Sequence, residues 1–200
     1  LVKFNRRQKR KYITPCVRLG GTDDKGDGIK LAPHYPDAQF YDYTQVIKYN
    51  PKHAAAHANR GKIREDLGNN AGALDDYTTS LKINNKQANI YNNRGLLLAS
   101  LGNTKAALND YSEAIRLLPD MSAAYNNRGS LYIKQQKYDM AIKDFIKAIK
   151  TNPSYGTAYA NRGIAYEYAG DMISACSDWK TAGDLGIDYA KQWLNKQCKN

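Results

Sequence analysis

Four arginines stand 34 residues apart: Arg60, Arg94, Arg128 and Arg162. An asparagine precedes each and a glycine follows it, so Asn-Arg-Gly returns at 59–61, 93–95, 127–129 and 161–163. A guanidinium can hold a phosphate, or it can fork onto a carboxylate. Each arginine has an aspartate sixteen residues on: Asp76, Asp110, Asp144 and Asp178. We therefore read the arginines as structural partners of those aspartates. The asparagines carry other chemistry. A carboxamide both donates and accepts, so Asn59, Asn93, Asn127 and Asn161 could pair with the backbone of an extended peptide without reading its side chains. The competing reading is that each bonds a neighbouring helix end.

Other reactive types are sparse. His53 and His57 lie four apart and could share a helical face. A metal would need a third ligand, and His34 is the only other histidine. We read His57 as a packing residue and His53 as a loop residue. Asp23-Asp24-Lys25-Gly26-Asp27-Gly28 has some oxygens of a calcium loop, but neither the closing glutamate nor flanking helices. There is no phosphate-cradling loop, no His-Glu-x-x-His and no Gly-x-Ser-x-Gly. We expect no cofactor, no metal and no catalysis. Cys16, Cys176 and Cys198 match neither a disulfide framework nor a zinc spacing. That favours a reducing, intracellular compartment.

The elements that position these residues follow from the period. A fixed step of this length marks a solenoid of stacked supersecondary units. With 42% hydrophobic residues the chain can bury a core. No apolar run approaches the length of a membrane span or forms a signal segment. The first residue is Leu1, as in a processed form or a piece of a longer chain.

Residues 1–34 lack helical periodicity and hold nine Lys and Arg against three Asp. Within them, Arg6, Arg7, Lys9, Arg10 and Lys11 form a basic cluster. The pattern predicts an extended arm, either a solvated tail or a contact to RNA phosphates or an acidic protein. Residues 35–50 predict a half-repeat that covers the open end. Asp42-Tyr43 and Pro51 sit where Asp76-Tyr77 and Asn85 sit one repeat later.

Four helical hairpins are expected at 54–87, 88–121, 122–155 and 156–189. First helices fall near 54–67, 88–101, 122–135 and 156–169. Second helices fall near 71–83, 104–117, 138–150 and 172–184. Gly68, Gly102 and Gly170 follow three first helices, where a left-handed cap needs no Cβ. Gln136 takes that place in the third repeat, so its turn should differ. Pro119 and Pro153 close two repeats. Gly61, Gly95, Gly129 and Gly163 should let paired helices approach closely, with Ala73, Ala107, Ala141 and Ala175 as small partners. Tyr77, Tyr111, Phe145 and Trp179 have the spacing of core, not of a base-binding stripe. Residues 188–198 predict a capping helix with Tyr189, Trp193 and Leu194 on one face. If that helix runs antiparallel to the last second helix, Cys176 and Cys198 could meet, and a pair of buried free thiols is expected there.

These residues resemble tetratricopeptide repeats over about 35–198. In the third repeat the family pattern is carried by Tyr125, Gly129, Ala141, Phe145, Ala148 and Pro153. The first repeat departs most, with His57, Arg64 and Asn85 in place of two apolar residues and a proline, so its packing should be the loosest. The Asn-Asn-Arg-Gly run is similar to arrays in cyanobacterial and plastid proteins, which adds a plastid or other organelle to the compartments considered.

The resemblance implies an all-α, right-handed α-solenoid that acts as a non-enzymatic scaffold. First helices would line a concave groove that takes a peptide or helix of a partner protein. Its candidate residues are Asn59, Lys62, Asn89, Asn92, Asn93, Asn126, Asn127, Lys134, Asn161 and Tyr168. The asparagine row is similar to the ladder in the repeats of the O-linked GlcNAc transferase. The family's clamp for two carboxylates needs cations at positions that hold Ala58, Ala123 and Asn127 here. Lys62 and Lys134 are expected to be balanced by Glu65, Asp66 and Glu167. A second basic surface, Lys137, Lys143, Lys147 and Lys150, reads as a solvated face or as a contact to RNA or an acidic protein. The alternative function is a ribonucleoprotein or ribosome-associated subunit whose basic arm contacts RNA.

Overall fold

The computed structural model describes residues 36–198. The basic arm with Arg6, Arg7, Lys9, Arg10 and Lys11, the Asp23–Gly28 loop, His34 and Cys16 lie outside the described residues.

Ten helices follow one another, and no strand occurs among the described residues. They are α1 (Pro36–Tyr49), α2 (Ala54–Asp66), α3 (Asn70–Ile83), α4 (Ala88–Ser100), α5 (Thr104–Leu117), α6 (Ser122–Lys134), α7 (Tyr138–Thr151), α8 (Gly156–Tyr168), α9 (Met172–Asp184) and α10 (Asp188–Gln197). Consecutive helices pack pairwise, and α2 to α9 form four hairpins in a right-handed α-solenoid. First helices also approach the next first helix, α4 to α6 and α6 to α8, more closely than second helices approach one another. That difference bends the stack so that first helices form its inner wall. α1 precedes the first hairpin and packs on α2.

Local sequence explains the boundaries. The Ala56 amide donates to His53 Nδ1 at 3.1 Å, so His53 is the N-cap of α2. Asn69, Asn103 and Asp171 cap α3, α5 and α9 in the same way, at 3.0, 3.3 and 3.0 Å. The bond from Ser174 holds the exposed Asp171 carboxyl below the usual range. Gly68, Gly102 and Gly170 take left-handed φ values of 76°, 81° and 86°.

Gln136 departs from what its sequence suggests. It takes φ 59°, the same left-handed cap as the glycines. The Lys137 amide reaches Tyr132 O at 2.9 Å, just as the Asn103 amide reaches Leu98 O at 2.8 Å. The cap geometry is thus kept, and a side chain is carried through a backbone region that costs about 1 kcal/mol for a non-glycine residue.

The core is a column of rings. Tyr77, Tyr111, Phe145 and Trp179 are fully buried, each against the first-helix glycine of its own hairpin. A Cβ at Gly95 or Gly129 would come within 2.8 Å of the Tyr111 or Phe145 ring. Helix α10 closes the far end. Trp193 and Leu194 pack on the cluster around Trp179, and the Tyr189 ring meets Trp193 edge-on at 4.9 Å.

A second expectation is corrected. Cys176 and Cys198 are joined in a disulfide with Cα atoms 5.8 Å apart, not left as free thiols. The bond ties the end of α10 to α9, and it removes the support that unpaired cysteines lent to a reducing compartment. The first repeat replaces apolar packing with polar contacts. His57 and Arg64, which stand where later repeats have Tyr91 and Leu98, converge with Arg60 on Asp76, which is fully buried. His57 also contacts Pro51 O through Nε2 at 3.0 Å.

Two measurements follow. Gln136→Gly relieves the left-handed strain and should raise the unfolding free energy by about 1 kcal/mol in a urea titration. Cys198→Ser should lower it by roughly 2–4 kcal/mol. The unmodified chain, weighed without reductant, should be two hydrogens lighter than after reduction.

Candidate functional site

The repeated arginines face the second helix of their own hairpin. Arg60 forks onto Asp76 with Nε and Nη2 at 2.9 and 2.7 Å. Arg94 and Asp110 repeat the fork at 2.8 and 2.8 Å, Arg128 and Asp144 at 2.8 and 2.8 Å, and Arg162 and Asp178 at 2.7 and 2.7 Å. The bonded carboxylates push the guanidinium pKa of Arg94, Arg128 and Arg162 further up, against a smaller opposing effect of burial. Two of these arginines also reach the preceding repeat. Arg94 Nη1 donates to Thr78 Oγ1 and Arg128 Nη1 to Ser112 Oγ, both at 3.1 Å. Rings cover the guanidinium, with Arg94 over Tyr91 at 5.7 Å and Arg162 over Tyr159 at 5.6 Å. Donors so fully engaged serve the fold rather than a phosphate.

The inner wall is assembled from the exposed faces of α2, α4, α6 and α8. Its asparagines divide into two sets. Asn127 Nδ2 donates to Asn92 Oδ1 at 2.9 Å, and Asn161 Nδ2 donates to Asn126 Oδ1 at 2.9 Å. Asn92 and Asn126 are buried at 6% exposure, so both are committed to these ties between repeats. Asn59 and Asn93 make no side-chain hydrogen bond among the described residues. For Asn93 the cause is direct: the residue in the place of Asn92 is Ala58, which has no oxygen to offer. Sequence spacing had grouped all four asparagines. The pairing across 35 residues was visible only as an Asn-Asn doublet at 92–93 and 126–127.

The charged wall residues of the first repeat pair with one another, one lysine against two carboxylates. Lys62 lies 2.7 Å from Asp66 and 3.8 Å from Glu65. The hydrogen bond to Asp66 raises the Lys62 pKa, partly opposed by burial. Glu65 also accepts from the Tyr77 hydroxyl at 2.7 Å, and burial followed by that bond pushes the phenol pKa up. Lys134 is exposed and forms no ion pair among the described residues, so the expected balance by Glu167 is not formed. Asn89 is exposed. Tyr168, 60% exposed, stacks on Tyr138 with centroids 5.4 Å apart. Among the described residues no cluster of three His, Cys, Asp or Glu could hold a metal. No helix there is long and apolar enough to cross a membrane.

Comparison with known proteins agrees with this geometry. The tetratricopeptide-repeat model matches residues 88–121 and 122–155, and a related repeat model matches 61–102. This chain is a tetratricopeptide-repeat protein. No curated protein matches it in sequence. Among solved structures it is similar to MamA, at 26% identity and a TM-score of 0.71, covering 78% of this chain and 91% of that one. A tetratricopeptide-repeat protein from Parabacteroides merdae shares 26% identity over 80% of this chain and 62% of that one, with a TM-score of 0.68. YrrB, described as a repeat protein with an unusual peptide-binding site, has the same fold at 19% identity, a TM-score of 0.69, and 80% and 84% coverage. The repeats support a protein-interaction scaffold.

The fork and the hydroxyl tie can be separated by substitution. Arg128→Lys loses both the fork and the reach to Ser112, whereas Arg162 has no hydroxyl partner among the described residues. In urea unfolding Arg128→Lys should cost about 1 kcal/mol more than Arg162→Lys.

Proposed function

We propose that this protein is a non-enzymatic scaffold whose inner wall holds an extended segment of a partner protein. It would act as an assembly factor or as a subunit of a larger complex. The observation that carries this reading is the pair of unspent carboxamides, Asn59 and Asn93, one repeat apart on neighbouring first helices. Each offers a donor and an acceptor to a peptide backbone. Beyond them, Asn127 and Asn161 keep acceptor capacity after donating to Asn92 and Asn126. In the first repeat Lys62 faces both Glu65 and Asp66, which leaves one net negative charge on the wall, so a chain of low net charge suits it better than an acidic tail. Tyr168 at the far end supplies an exposed ring for an apolar side chain. The repeat family and the peptide-binding relative support this reading.

A second reading rests on charge alone. The +6 balance of residues 1–34 suits RNA phosphates. The two readings separate by experiment. Partners are recovered by pull-down with the full chain and with a chain lacking residues 1–34, and read by mass spectrometry for protein and by sequencing for RNA. The recovered protein segment is then titrated. Asn59→Ala with Asn93→Ala should weaken its binding about tenfold, the worth of one or two hydrogen bonds, with the melting temperature unchanged. Unchanged affinity would remove the scaffold reading. Loss of all binding with the arm, together with steep salt dependence, would favour RNA.

A further inference from the structure

Helix α7 departs from its neighbours twice on the same outward face. The first departure is charge. Lys143, Lys147 and Lys150 are exposed and follow one another at i, i+4 and i+7. That spacing aligns them along about 10 Å of one helix face, at about 1.5 Å per residue. Like charges so placed repel. None of the three forms an ion pair among the described residues, although Asp139 stands four residues before Lys143. The same positions on the other second helices are mixed or neutral. They are Asp75, Thr79 and Lys82 on α3, and Ser177, Thr181 and Asp184 on α9. On α5 they are Asn109, Glu113 and Arg116, where Arg116 is paired with Glu113 at 2.8 Å.

The second departure is Ile146. Its counterparts are Thr78 and Ser112, whose hydroxyls accept from the arginine of the next repeat at 3.1 Å. Ile146 offers no acceptor, so Arg162 bonds only Asp178 among the described residues. In place of that tie, an apolar side chain stands 43% exposed beside the lysines. Met140, 45% exposed, flanks their other side. An internal bond is given up and like charges are aligned, and neither change helps the hairpin fold.

We propose that this face of α7 is a second docking surface, distinct from the inner wall, for an acidic amphipathic helix of a partner protein. Carboxylates at i, i+4 and i+7 of such a helix match the lysine row, and its apolar residues cover Ile146 and Met140. The flanking side chains favour protein over nucleic acid. Bases stack on aromatic rings, and the rings of α7 are not offered here: Phe145 is buried and Tyr138 is stacked on Tyr168.

The test uses the full chain and a labelled helical peptide of about four turns, with Glu at i, i+4 and i+7 and Leu beside them, read by fluorescence anisotropy. Controls are a peptide of the same composition in scrambled order and a single-stranded RNA of similar charge. The helical peptide should saturate and bind at least about fivefold more tightly than either control. Lys143→Glu with Lys147→Glu should weaken it about tenfold or more. Ile146→Ser should weaken it about threefold while holding or raising the melting temperature, because serine restores a hydroxyl to Arg162. Asn59→Ala with Asn93→Ala should leave it unchanged. The proposal is overturned by any of four results: no saturation, a scrambled peptide or RNA that binds as well, loss of binding in the asparagine variant, or a lower melting temperature for Ile146→Ser.

Discussion

Each hairpin is closed by a guanidinium forked onto a carboxylate, and that pair fixes the register of everything around it. Arg60 and Gly61 are adjacent on one helix, and Asp76 and Tyr77 are adjacent on the other. The arginine meets the aspartate while the glycine receives the ring. Ion pair and closest approach are therefore two halves of one contact, made four times. The four aspartates are at most 6% exposed. A carboxylate so dry is tolerable only while its cation stays in place, since removing one partner of a buried pair costs several kcal/mol. Sliding one helix by a turn would break the fork and drive the ring off its glycine together.

The contact was legible because it is short-range in sequence and repeats. A sixteen-residue step from Arg to Asp, seen four times, leaves little room for another partner. The helix bounds were legible for the same reason, and they agree with the expected spans to within about a residue. The disulfide was less so. Spacing brought Cys176 and Cys198 near one another but carried no information on their oxidation state. Gln136 misled because a side chain at a left-handed position is unfavourable rather than forbidden, and the packing on either side imposes the turn.

The first repeat shows a different limit. His57 and Arg64 break the apolar pattern, which suggested the loosest packing of the four repeats. Three basic side chains converge there on one buried carboxylate, and a satisfied polar network rigidifies a core as apolar contacts do. A pattern written in apolar letters cannot register such a substitution, because the gain lies in bonds to Asp76 rather than in the residue itself. The inter-repeat asparagine pairs escaped notice for a related reason. Residues 92 and 127 meet only because two first helices lie side by side, and no periodicity within one helix reports that.

These internal ties make the inner wall uneven. Where Asn127 donates to Asn92 and Asn161 to Asn126, a ligand must accept what capacity remains. At Asn93 the tie is absent because Ala58 offers no oxygen, and a bond to a peptide there would displace no partner among the described residues. Net hydrogen-bond strength is a small difference between bonds made and bonds given up. The same carboxamide is therefore worth more to a ligand in the first two repeats than in the last two. Tyr168 reverses the gradient for apolar contact, because exposed ring surface lies at the opposite end. On the proposed reading, a segment laid along this wall would meet backbone-pairing groups first and an aromatic surface last, which would give an array of near-identical repeats a direction.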